Sequence, residues 1–135
     1  MARILLAEDD QSVRAFVARA LRMDGHDIVE ADDGGRALEI IEEAAGQFDL
    51  MLSDIKMPLM DGIALALSVA DRFPTVTIVL MTGFAEQRER AHGLDALIHD
   101  VIAKPFALDE LRARVDAALA APWAKTEAPS ERRRG

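Results

Sequence analysis

The sequence predicts one doubly wound α/β domain with a five-stranded parallel sheet. Two observations carry that expectation. Short apolar runs lack the polar alternation of half-exposed strands, and amphipathic stripes of helical period separate them. Strands alternating with helices five times imply right-handed crossovers, which place helices on both faces of the sheet. A chain of 135 residues, half of them hydrophobic, can bury one such core and is too short for two.

Taken in order, Ile4-Leu5-Leu6-Ala7 reads as the first buried strand. Val13, Phe16, Val17, Ala20 and Leu21 then fall on one face at i, i+3, i+4, i+7 and i+8, the mark of a helix packed on a sheet. Ile28-Val29-Glu30-Ala31, after Asp24-Gly25, is a weaker run that suits a strand nearer the sheet edge. Ala37, Leu38, Ile41 and Ala45 form the second stripe, Leu50-Met51-Leu52 the third strand, and Ile63, Ala66, Leu67 and Ala70 the next helix. Val76 to Met81 supplies the fourth strand, and a more polar segment around Glu86 to Leu94, interrupted by Gly93, a further helix. Val101-Ile102-Ala103 and the stripe Leu108, Leu111, Val115 and Leu119 complete the pattern. It stops after Ala121, so residues 1–121 are expected to form the domain and 122–135, with Trp123 and Arg132-Arg133-Arg134, a flexible tail.

Composition narrows the function. With 24 acidic against 16 basic residues the net charge is -8, which opposes direct binding to nucleic acid or an anionic membrane. The absence of cysteine removes disulfides and thiolate metal sites. Met1-Ala2-Arg3 runs straight into the first strand, without the apolar stretch of a secretory signal, and no run approaches the roughly 18 residues of a membrane span. A cytoplasmic protein is expected.

In open parallel sheets ligands sit outside the carboxyl ends of the strands. Those ends here are Glu8-Asp9-Asp10, Ser53-Asp54, Thr82-Gly83 and Lys104-Pro105, which offer carboxylates, a hydroxyl and one ammonium. Carboxylate oxygens suit Mg²⁺, a hard cation that prefers octahedral oxygen coordination. Crowding Glu8, Asp9 and Asp54 without a cation is unfavourable, because like charges in one cleft resist full ionisation. A bound ion would leave one carboxylate free as nucleophile for phosphoryl transfer, which needs chiefly positioning and charge stabilisation. Each member also has a plainer reading. Asp9 or Asp10 suits a cap for the helix beginning near Val13, and Asp54 and Asp61-Gly62 suit turns.

The pattern Leu6-Ala7-Glu8-Asp9-Asp10, Ser53-Asp54-Ile55-Lys56-Met57-Pro58-Leu59-Met60-Asp61-Gly62, Met81-Thr82-Gly83 and Lys104-Pro105-Phe106 resembles the receiver domains of two-component signalling. The resemblance covers about residues 2 to 121. It implies a flavodoxin-like (βα)5 fold with strand order 2-1-3-4-5, and a stand-alone response regulator that is a phosphoacceptor switch rather than an enzyme. Asp54 would accept a phosphoryl group from a sensor histidine kinase or histidine phosphotransfer protein. Asp9, Asp54 and the main-chain carbonyl of Lys56 would ligate Mg²⁺, with Glu8 acting through water, and Thr82 and Lys104 would hold the phosphoryl oxygens. Lys104-Pro105 would be a cis peptide. The opening and Thr82-Gly83-Phe84-Ala85 are also similar to alphaproteobacterial receivers that prime the ClpX-ClpP protease, which implies a protease or its adaptor as output partner.

The chain departs from the family at Val101, where Tyr or Phe often stands, and a valine has too little reach for the usual aromatic rotamer switch. Readout is then expected around Ala85 to Leu97 and the last helix. Lys56 and Phe84 would flank the phosphate and slow its hydrolysis. The competing function is a Mg²⁺-dependent aspartyl-phosphate phosphohydrolase, which commonly wants an acid two residues after the nucleophile, where this chain has Lys56. A flavin-binding module would want a Ser/Thr/Gly-rich phosphate loop where three acids stand. His26, His92 and His99 are assigned surface or structural roles, and Met57 and Met60 packing.

Overall fold

A computed structural model describes residues 1–83, 89–91 and 93–121. Its strands are β1 (Arg3–Ala7), β2 (Asp27–Ala31), β3 (Leu50–Asp54), β4 (Thr77–Thr82) and β5 (Asp100–Ala103). Its helices are α1 (Gln11–Met23), α2 (Gly34–Glu43), α3 (Gly62–Arg72) and α4 (Leu108–Ala120), and residues 89–91 are also helical. All strand pairs are parallel and the order is β2-β1-β3-β4-β5, as the family resemblance implied.

Strand side chains alternate between faces, so each strand feeds two cores. Leu5, Ala7, Met51, Ile78 and Leu80 pack with Ala37 and Ile41 of α2 and Leu65 and Val69 of α3. Ile4, Leu6, Leu50, Leu52, Val79 and Ile102 pack on the other side with Val17 and Leu21 of α1 and Leu111 and Val115 of α4. That two-sided burial explains the unbroken apolar runs. Met57 is buried in the first core and Met60 packs against it, so both have the packing role expected.

Three helices begin at an aspartate whose carboxylate accepts the N–H three residues on: Asp10 from Val13 (3.0 Å), Asp33 from Arg36 (2.7 Å) and Asp61 from Ala64 (2.8 Å). Such caps contribute about 1 kcal/mol each. Of the acids after β1, Asp10 is therefore the cap and Asp9 is left for the cleft.

Some sequence expectations need correction. Phe16 and Leu67, assigned to buried stripes, are 55% and 44% exposed, because each lies at the margin of a stripe that the sheet does not reach. Ala45 lies beyond α2 in the left-handed region (φ 54°), where the chain turns away from the helix. Of the expected helix around Glu86 to Leu94, residues 89–91 are helical and Gly93 and Leu94 lie in a turn, while residues 86–88 and His92, together with Phe84, Trp123 and residues 122–135, lie outside the described residues.

The turn after β3 depends on a close approach. A Cβ at Gly62 would lie 2.2 Å from the Asp54 carbonyl oxygen, and the Gly62 N–H donates to the Ile55 carbonyl at 2.7 Å. Gly62→Ala is expected to destabilise the protein by roughly 1–3 kcal/mol, since backbone must shift to admit the methyl. An unchanged urea midpoint would contradict this close packing.

Candidate functional site

Parallel strands bring the carboxyl ends of β1, β3, β4 and β5 to one rim. Glu8, just after β1, is 1% exposed and donates its N–H to the Ala31 carbonyl of β2 at 3.0 Å. Its Oε2 accepts the Asp10 N–H at 3.0 Å, and its Oε1 accepts from Lys104 Nζ at 2.9 Å. Asp54 ends β3, is 7% exposed, and accepts from the same Nζ through Oδ2 at 3.0 Å. The exposed Asp9 completes the cluster: one carboxylate oxygen from each of Glu8, Asp9 and Asp54 lies within 4.8 Å of the others. A cleft of about 260 Å³ opens here, and Val13, Lys56 and Gly83 are among its walls.

Thr82, 1% exposed, ends β4, and its carbonyl accepts the Lys104 N–H at 2.7 Å. The Lys104-Pro105 peptide is cis, as expected. Glu8, Asp9, Asp54 and Lys104 are thus brought together in the cleft, while Thr82 joins them through its carbonyl on the Lys104 N–H.

The electrostatics follow from crowding. Desolvation at the cleft, and then the Glu8 carboxylate beside it, push the Asp9 carboxyl above its ordinary value. Burial pulls the Lys104 ammonium down, but hydrogen bonds to Glu8 and Asp54 outweigh it and hold the group above its usual range. A raised lysine contributes its stabilisation below its ordinary value of 10.5 and loses it only as pH rises through the higher folded one, so the tie is intact at neutrality. Even so, Lys104 bonds to two of the three clustered carboxylates, and the third, Asp9, stands beside them. Such a set of hard, anionic oxygen donors fits a divalent oxygen-seeking cation.

Three contributors escaped the sequence reading. Gly62 packs on the Asp54 carbonyl, and the Asp10 N–H steadies Glu8. Arg14 Nη1 donates to the Glu8 carbonyl at 2.8 Å. An arginine near a helix N-terminus opposes the helix dipole, a mismatch that signals another duty.

His26 and His99 are not among the residues lining the acidic cleft. His26 precedes β2 at the opposite rim, where its Nδ1 accepts the Ala2 N–H at 3.2 Å. It lines a larger cavity of about 820 Å³ together with Asp49, Thr75 and Asp116. His99 precedes β5 and donates its backbone N–H to Ile78 at 2.7 Å.

Comparison with known proteins agrees with this architecture. The family model for the response regulator receiver domain matches residues 4–116. The response regulator MprA of Mycobacterium leprae is 37% identical over 117 residues, which cover 87% of this chain and 50% of that protein. MprA of Mycobacterium ulcerans is 38% identical over the same length and coverage. The chain therefore spans about half the length of these curated relatives.

Among solved structures, the receiver domain of the hybrid histidine kinase CckA superposes with a TM-score of 0.73 at 34% identity, covering 87% of this chain and 98% of that one. The response regulator TrrA from Thermotoga maritima, solved in complex with Mg(2+)-BeF, gives 0.77 at 27% identity, covering 87% and 99%. The chain belongs to the response-regulator receiver domain family, whose members accept phosphoryl groups in two-component signalling.

Proposed function

We propose that this chain acts as a response-regulator receiver, with residues 1–121 as the receiver domain. Asp54 accepts a phosphoryl group from a sensor histidine kinase or a histidine phosphotransfer protein. The observation that carries this reading is the bridge from Lys104 Nζ to both Glu8 and Asp54, with Asp9 beside them. It supports the reading because a carboxylate able to act as nucleophile, a held ammonium and two further carboxylates share one cleft.

Asp9, Asp54 and the main-chain carbonyl of Lys56 would hold Mg²⁺, with Glu8 acting through water. Bound Mg²⁺ supplies positive charge that offsets both the crowded carboxylates and the oxygens of an incoming phosphoryl group. The Asp54 carboxylate oxygen forms a bond to phosphorus as the donor's phosphorus–nitrogen bond breaks, leaving an acyl phosphate on the protein. Lys104 then exchanges its tie to a carboxylate for one to the phosphoryl oxygens, and Thr82 supplies a hydroxyl from the end of β4. The chemistry changes only the protein itself, which makes it a switch rather than an enzyme. Lys56, in the cleft wall two residues beyond Asp54, disfavours the phosphohydrolase reading, which wants an acid there.

Output is by phosphorylation-dependent protein contact, with a protease or its adaptor as a candidate partner and no direct nucleic-acid contact. No helix among the described residues is long and apolar enough to cross a membrane. We place the protein in the cytoplasm.

Incubation with acetyl phosphate and Mg²⁺ is expected to add one phosphoryl group per chain, seen by intact-protein mass spectrometry, and EDTA is expected to prevent it. Equal labelling with and without metal would overturn the reading.

A further inference from the structure

We propose that Arg14 is a positioning residue that holds the acidic loop after β1 in its metal-binding shape, an inference that rests on the Mg²⁺ site proposed above. Arg14 is mostly buried, with a side chain 17% exposed. Its Nη1 donates to the Glu8 carbonyl at 2.8 Å while its Nε reaches Glu30 Oε1 on β2 at 3.3 Å. Glu30 is itself fixed from the far end of α1, where Arg22 Nη1 meets Oε2 at 3.0 Å and Arg22 Nη2 donates to the Ile28 carbonyl at 2.9 Å. The guanidinium of Arg14 is thus anchored to the edge strand before it grips the loop.

The grip falls on the peptide that matters for Asp9. The Glu8 carbonyl and the Asp9 N–H belong to one rigid plane, so fixing that oxygen fixes the direction from which the chain enters Asp9. The following peptide is held by the Asp10 N–H on Glu8 Oε2 at 3.0 Å. Asp9, the exposed member of the carboxylate cluster, is therefore aimed by restraints on the peptides to either side of it.

Charge and positioning predict opposite signs. A cation near a cation site repels the metal, so if Arg14 acted through charge alone, its removal would tighten Mg²⁺ binding. If it acts by holding the loop, removal weakens binding, as loss of a residue that orients a metal ligand commonly does by 10–100-fold.

The test is calorimetric titration of Mg²⁺ into the unphosphorylated protein and its variants. Arg14→Met, which keeps an apolar stem and loses charge and donors, is expected to raise the Kd roughly ten-fold. Arg14→Lys keeps the charge but loses the forked donors that hold the Glu8 carbonyl and Glu30 together, and is expected to fall between the two. A folded Arg14→Met protein that binds Mg²⁺ as tightly as wild type, or more tightly, overturns the proposal. Should Arg14→Met fail to fold, Arg14→Lys decides, with a several-fold weaker Kd in support and an unchanged one against. If the wild-type protein itself binds no Mg²⁺, the metal site fails and the proposal falls with it. If wild type binds and Asp9→Ala does not, while Arg14→Met is unaffected, only the role of Arg14 is lost.

Discussion

Asp54→Ala is expected to abolish phosphoryl labelling by acetyl phosphate, and Asp54→Asn to do the same with the cleft's shape preserved. The geometry leaves no ready substitute. Glu8 is 1% exposed with both carboxylate oxygens engaged, and Asp9 stands on the β1 side of the cluster. Neither occupies the end of β3, where Lys104 already touches an oxygen of Asp54 at 3.0 Å. Peptide mapping of the labelled wild-type protein should place the mass increase on the segment containing Asp54. Stoichiometric labelling of both variants would move the acceptor elsewhere.

Lys104→Ala should cost the metal-free protein about 2 kcal/mol at neutral pH, because breaking a buried ion pair costs ~3–5 kcal/mol and the lysine's partial exposure lets water screen some of it. The truncation leaves Glu8, Asp9 and Asp54 facing one another with no cation between them. Mg²⁺ should then stabilise the variant more than wild type in thermal melts, since the ion replaces the missing charge. A ligand at one hundred times its Kd adds about 2.7 kcal/mol to a folded state that alone binds it. Equal stability of variant and wild type without metal would refute this account of the bridge. The same variant should accept phosphate yet lose the structural response to it.

The sequence made the backbone plan readable because parallel strands covered on both faces are largely apolar, and because each ends at or just before a polar residue. Reading the residues at the strand ends points to Glu8, Asp9, Asp54, Thr82 and Lys104, of which Glu8, Asp9, Asp54 and Lys104 line one cleft. Strand order came from the family resemblance rather than from periodicity, which says nothing about which strands pair. Periodicity also misjudged Phe16 and Leu67, because a helical stripe reports which way a side chain points and not how far the sheet beneath it extends. Arg14 was invisible for another reason. Its partners are a main-chain carbonyl and a glutamate sixteen residues away, and neither leaves a local pattern.

Gly62 shows the same limit from the other side, since a glycine beside an aspartate reads as a turn whatever lies against it. Only the fold reveals that the Asp54 carbonyl fills the space its side chain would take.

The Lys104 bridge spans 96 residues to Glu8 and 50 to Asp54, while its backbone N–H closes on β4. Contacts of such sequence separation form only after large loops have closed, against their entropy. A chain emerging from the ribosome therefore carries Asp54 long before it carries Lys104, and until β5 docks the acidic cluster lacks the ammonium that bridges Glu8 and Asp54. Closure of the acidic rim is in this way tied to completion of the sheet, so a partly made or misfolded copy would lack the bridge that joins β5 to Asp54.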